Sequence, residues 1–125
     1  MPMGPLLSKR LQNVFSTIEE IAPEALLLKM NTGSSPYIID VREGSEWQEG
    51  AIPNAIHIPR GYLELQIEQI APDPKAEIIL YCGGGTRSAL AAENLQAMGY
   101  QNVKSLKGGL RSWVGAGFLT TSSRK

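Results

Sequence analysis

The chain has 125 residues, enough for one domain around a single core. It is 42% hydrophobic and 19% charged, with zero formal net charge and no long run of one sign, which argues against a nucleic-acid or anionic-membrane surface as main partner. No apolar run approaches the roughly 20 residues that cross a bilayer, the N-terminus lacks the order of a secretory signal, and a lone cysteine cannot form an internal disulfide; a cytoplasmic protein is expected.

In chain order, residues 1–16 read as an N-terminal extension that is helical, with apolar residues at Leu7, Leu11, Val14 and Phe15 close to helical spacing. Ser16-Thr17-Ile18-Glu19-Glu20-Ile21 fits either the end of that helix or a short edge strand. Pro23 to Met30 reads as a helix with proline in its first turn, ending in the turn cluster Asn31 to Pro36. Tyr37-Ile38-Ile39-Asp40-Val41 is a continuous apolar run, as in a parallel strand covered on both faces, with Asp40 as its polar exception. Glu43 to Gly50 reads as a loop with one helical turn, and Ala51 to Pro59 as an extended piece bracketed by prolines. Leu63 to Ile70 reads as a helix stopped at Ala71-Pro72. Ile78 to Tyr81 is a strand, Ser88 to Met98 a helix ended by Gly99, Val103 to Leu106 a last strand and Leu110 to Ala116 a last helix. Residues 119–125 read as a disordered tail.

Strands alternating with helices imply right-handed crossovers and a parallel sheet. Ligands of such sheets sit beyond the C-terminal strand ends, where Asp40 and the single cysteine, Cys82, both fall. Cys82 follows a buried strand and precedes Gly83-Gly84-Gly85-Thr86-Arg87-Ser88 and an alanine-rich helix. A thiol placed there faces backbone N–H groups at the positive end of a helix, conditions that favour a nucleophilic thiolate. Three glycines can take positive φ and turn successive N–H groups inward. Thr86 adds a hydroxyl, Arg87 a fixed positive charge with a planar fork of donors, and Ser88 a cap for the helix. All favour an anionic substrate.

Two reaction classes use a thiolate cupped in backbone N–H groups. Phosphatases of the tyrosine-phosphatase type, and related arsenate reductases, place five residues between cysteine and arginine; here four, Gly83 to Thr86, separate Cys82 from Arg87. The tighter loop suits one sulfur atom carried on the cysteine, and no carboxylate lies in the loop to act as general acid.

With these residues in view, the chain from about Ile18 to Phe118 resembles the rhodanese-like family of sulfurtransferases. Asp40-Val41-Arg42-Glu43 with Glu46-Trp47, the segment Gly50 to Pro59, the loop Cys82 to Ser88, and Gly108-Gly109-Leu110-Arg111-Ser112-Trp113 are similar to four of its elements, in order. The resemblance implies an α/β fold over residues 17–118, a three-layer sandwich with a five-stranded parallel sheet and helices on both faces. It also implies a persulfide on Cys82. Ala51 stands where many members have histidine, and Glu46 stands near a position that is basic in some thiosulfate-preferring members. Gly83 and Gly84 replace more decorated loop residues, so a wider, less positive pocket with Arg87 as main cation is expected.

Asp40 and Arg42 read as a supporting pair that orients the loop or forms a buried ion pair. His57 reads as a strand residue facing the surface, Trp47 and Trp113 as core or rim, and Arg60 and Lys107 as pocket rim. One cysteine and one histidine do not make an ordinary zinc site, and no cofactor is called for. The expected partners are a small anionic sulfur donor and a protein sulfur acceptor, with no nucleic acid and no membrane. The leading reading is sulfur transfer by double displacement. The alternatives are a persulfide relay for a dedicated partner, and a phosphatase or arsenate reductase.

Overall fold

Five parallel strands form one sheet in the order β1-β5-β4-β2-β3. The computed structural model describes residues 3–124, so Met1, Pro2 and Lys125, at the ends of the expected extension and tail, lie outside the described residues. The strands are β1 (Glu19–Ile21), β2 (Tyr37–Asp40), β3 (Ile56–His57), β4 (Ile78–Tyr81) and β5 (Val103–Leu106). The helices are α1 (Pro5–Thr17), α2 (Pro23–Asn31), α3 (Gly44–Gln48), α4 (Leu63–Ile70), α5 (Thr86–Met98) and α6 (Gly109–Gly115). No helix among the described residues is long and apolar enough to cross a membrane.

The period-two alternation of a strand divides β4 between two cores. Ile78, Leu80 and Cys82 face one side, packed with Leu63 and Ile67 of α4 and Ala91, Ala92 and Leu95 of α5. Ile79 and Tyr81 face the other, with Leu26 of α2 and Trp113 of α6. The three-layer sandwich of helices, parallel sheet and helices follows. Because β4 is central and covered on both faces, its residues are all apolar and buried, and the alternation sends Cys82 toward α5.

The ambiguous stretch around Ser16 resolves into both readings in succession: α1 runs to Thr17, and Glu19–Ile21 pairs with Lys104–Leu106 as an edge strand. α1 does not behave as an appendage. Leu11 and Val14 are buried, and Arg10 pairs with Glu93 of α5. The expected disorder of the tail does not extend to Thr120–Ser122. Thr121 pairs with Ala51 through both its N–H (2.9 Å to the Ala51 carbonyl) and its hydroxyl (3.0 Å from the Ala51 N–H), and Thr120 is buried. Its partner lies 70 residues away, which local composition does not report.

Candidate active site

The loop between β4 and α5 carries Cys82 at its first position. The sulfur accepts the Gly85 N–H at 3.1 Å and the Ser88 N–H at 3.4 Å, and the Ser88 hydroxyl lies 3.5 Å away. The side chain is buried, with 1% of its surface exposed. Of the three glycines that can take positive φ, only Gly85 does so, at +101°. One left-handed residue is enough to turn the chain into α5, whose N-cap is Gly85. Ser88 is therefore not the helix cap that the sequence suggests. It lies inside the first turn of α5, where its side chain is free to face the sulfur. Thr86 opens α5, half-buried.

α6 packs against the loop and holds its first two carbonyls. The Cys82 carbonyl accepts the Leu110 N–H at 2.8 Å, and the Gly83 carbonyl accepts the Arg111 N–H at 3.0 Å. Those two bonds satisfy loop carbonyls and fix the Cys82–Gly83 and Gly83–Gly84 peptide planes that lead into the Gly85 turn. The close approach depends on Gly109, which sits at φ +63° against the Cys82 and Gly83 backbone. Arg111 also brings a guanidinium beside Gly84, a second cation at the rim that sequence reading missed.

Arg87 is not a free cation. Its guanidinium forms a two-pronged pair with Glu46 of α3, at 2.8 and 3.0 Å. The pair lies beside Gly83, where an added Cβ would come 3.4 Å from Arg87 Nη2 and 3.9 Å from Glu46 Oε2. Hydrogen bonds from Arg87, outweighing partial burial and joined by the Glu43 N–H, hold the Glu46 carboxyl down at about 2. A depressed carboxyl keeps its pair above the ordinary glutamate range and loses it only as pH falls toward that value, so the pair stays closed at neutral pH. Glu46 is itself fixed by a capping box with Glu43 at the start of α3.

Asp40 and Arg42 form a buried ion pair that makes no hydrogen bond to the loop among the described residues. Asp40 accepts Arg42 Nε at 3.0 Å, Arg42 Nη2 at 2.7 Å and the Arg42 N–H at 2.9 Å. Arg42 Nη2 also reaches the Gly50 carbonyl at 2.7 Å, and its guanidinium lies 5.7 Å from the centre of the Tyr81 ring. Burial and the neighbouring Asp40 push the Tyr81 hydroxyl up; that hydroxyl accepts the Ile52 N–H at 3.0 Å. The network ties the ends of β2 and β4 to the segment Gly50–Ile52, which follows α3. Asp40→Ala strands a buried guanidinium. We expect it to cost about 3–5 kcal/mol in urea unfolding, the usual loss when one partner of a buried pair is removed.

Arg60 and Lys107 are the other expected rim residues. Arg60 turns to Glu64 at 2.8 Å, and Lys107 is exposed. His57 is not a free surface residue: its ring stacks on Trp47 at 5.0 Å and its Nε2 lies 2.8 Å from the Arg42 carbonyl, clamping α3 to β3. Trp113 is core, with its indole N–H on the Leu119 carbonyl at 2.9 Å. A groove of about 410 Å³ lined by Leu27, Met30, Trp113 and Phe118 lies on the α2–α6 side and includes no loop residue. Sequence reading also passed over Ser105 of β5. It is fully buried and 2.8 Å from the Ser88 hydroxyl, and a serine alternating with Val103 on an inward face was the signal available.

Comparison with known proteins bears on the family and the fold. The sequence model of the rhodanese-like domain matches residues 22–116. YtwF of Bacillus subtilis, provisionally named a sulfurtransferase, is 36% identical over 98 residues, which cover 78% of this chain and 92% of YtwF. YrkF of the same organism, provisionally named a sulfur carrier protein, is 35% identical over 100 residues, 80% of this chain and 53% of YrkF. The chain thus spans about half the length of YrkF. Among solved structures, RPA3614 from Rhodopseudomonas palustris CGA009, a protein of unknown function suggested to be a tyrosine phosphatase, superposes with a TM-score of 0.81. It is 32% identical, and the match covers 95% of this chain and 98% of that one. With a family match over most of its length and YtwF as a near full-length relative, the chain belongs to the rhodanese-like domain family.

Proposed function

We propose that the protein is a sulfurtransferase that carries a sulfane sulfur on Cys82, taking it from thiosulfate or a persulfide and passing it to cyanide, a thiol or a protein acceptor. One observation carries this reading: the Cys82 sulfur, at the end of β4, receives the N–H groups of Gly85 and Ser88. In the first step the thiolate attacks the outer sulfur of the donor. The S–S bond to that sulfur breaks, and its electron pair leaves on sulfite or on the donor's thiolate. In the second step the acceptor attacks the outer sulfur of the Cys82 persulfide and the Cys82 thiolate leaves. Covalent catalysis and preorganised donors are what the residues supply. Arg87, Gly83 and Gly84 line the approach.

A second reading, relay of sulfur to a dedicated protein partner, draws support from the Glu46–Arg87 pair, which occupies the loop's own cation. The provisional naming of YrkF as a sulfur carrier points the same way. Phosphoryl or arsenate chemistry has less support, because the loop is one residue short and its arginine is already bound to a carboxylate.

Intact-protein mass spectrometry after exposure to thiosulfate or to a low-molecular-weight persulfide tests the proposal. The expected result is one added sulfur atom that maps to Cys82 and is removed by cyanide with release of thiocyanate. A chain that gains no sulfur from either donor sinks the reading. Persulfidation with negligible thiocyanate turnover selects the relay form.

A further inference from the structure

We infer that Ser105 is a positioning residue that locks the Ser88 hydroxyl as a third donor to the Cys82 sulfur. The inference rests on the sulfur-transfer reading and extends it to a residue outside the loop. Ser105 sits on β5 opposite Leu80, with its side chain on the same face of the sheet as Val103 and Cys82. Ser88 and Ser105 are both fully buried, their hydroxyl oxygens are 2.8 Å apart, and the Ser88 oxygen is 3.5 Å from the sulfur. The Ser105 hydroxyl has no other hydrogen-bond partner among the described residues.

Two hydroxyls in a row can point either way, and burial decides between them. If Ser88 donates to Ser105, the Ser105 proton is left in an apolar core without an acceptor, which burial penalises. If Ser105 donates to Ser88, the Ser88 proton goes to the sulfur and every proton is placed. The pair is therefore one-directional, and the sulfur at its end is an acceptor of three hydrogens: the Gly85 N–H, the Ser88 N–H and the Ser88 O–H. Three donors suit a thiolate and not a thiol, whose own proton would need an acceptor. The arrangement assists both chemical steps, since the thiolate is the nucleophile of the first and the leaving group of the second.

The charged groups around the sulfur are few. Arg87 on α5 lies in its field and is paired to Glu46 of α3; Arg111 on α6 stands beside Gly84; Asp40 and Arg42 at the end of β2 are closed on each other. None of them hydrogen-bonds Ser88 or Ser105 among the described residues, so replacing Ser105 leaves them in place.

The test is the pH profile of Cys82 alkylation by iodoacetamide in the wild type, Ser105→Ala, Ser88→Ala and the double variant, with thermal melts confirming that each is folded. Ser105→Ala is expected to move the half-maximal pH up by about half a unit. Ser88→Ala should move it at least as far, and the double variant no further than Ser88→Ala, because Ser105 acts only through Ser88. An unmoved midpoint in Ser105→Ala overturns the inference. So does a Ser105 effect that persists when Ser88 is alanine. Failure of the sulfur-transfer reading shows differently, as a wild-type chain whose cysteine alkylates but never gains sulfur.

Discussion

Cys82→Ser is expected to lower sulfur transfer by at least about a thousandfold while leaving the fold intact. Serine is close to cysteine in shape, and its oxygen would meet the same donors, the Gly85 and Ser88 N–H groups at the end of β4. The change should move unfolding free energy by less than about 1 kcal/mol, within the range of a near-isosteric polar replacement. Activity falls for a chemical reason. A hydroxyl remains protonated at neutral pH, attacks sulfane sulfur poorly, and forms no species equivalent to a persulfide that an acceptor could reopen. Thiocyanate release in single-turnover experiments, alongside circular dichroism melts, measures both halves. A serine variant that still produces thiocyanate at a tenth of the wild-type rate would falsify Cys82 as the sulfur carrier.

How far the molecule could be read from its sequence follows the range of the interactions involved. β4 and the body of α5 were legible because their signals are local: an unbroken apolar run from Ile78 to Tyr81, glycines at a turn, and alanines in a helix. The position of Cys82 followed from those alone. The partners that complete the site come from other elements. Glu46 reaches Arg87 across 41 residues, Ser105 reaches Ser88 across 17, and α6 supplies the N–H groups that hold the Cys82 and Gly83 carbonyls. Those contacts exist because β5 and β2 flank β4 in the sheet, an order that parallel crossovers permit but that sequence spacing does not print. Arg87 could be recognised as a cation at the loop. That its charge is already answered by Glu46 could not, since α3 carries no local mark of pointing there. His57 misled for the same reason: between two isoleucines it resembles a surface strand residue, while its partner Trp47 arrives from α3.

Gly109→Ala is the second variant expected to have a large effect, although it touches neither the sulfur nor any side chain of the loop. Gly109 opens α6 at φ +63°, a conformation that costs an alanine about 1–2 kcal/mol. The added methyl would also stand 2.5 Å from the Cys82 carbonyl oxygen and 2.7 Å from the Gly83 carbonyl group. These are backbone atoms of the loop itself, so relief requires α6 to withdraw. Withdrawal breaks the Leu110–Cys82 and Arg111–Gly83 hydrogen bonds at 2.8 and 3.0 Å and frees the two carbonyls to turn toward the sulfur. Stability should fall by about 3 kcal/mol or more, from conformational strain, overlap and two lost hydrogen bonds. Iodoacetamide alkylation of Cys82 at neutral pH should slow by about tenfold as the donors lose their aim. Gly115→Ala is the matched control: it lies in the same helix at negative φ with nothing within 4 Å of the new methyl, and should be neutral or slightly stabilising. Equal behaviour of the two variants, in urea unfolding and in alkylation rate, would mean that α6 does not hold the loop in its donor-presenting form.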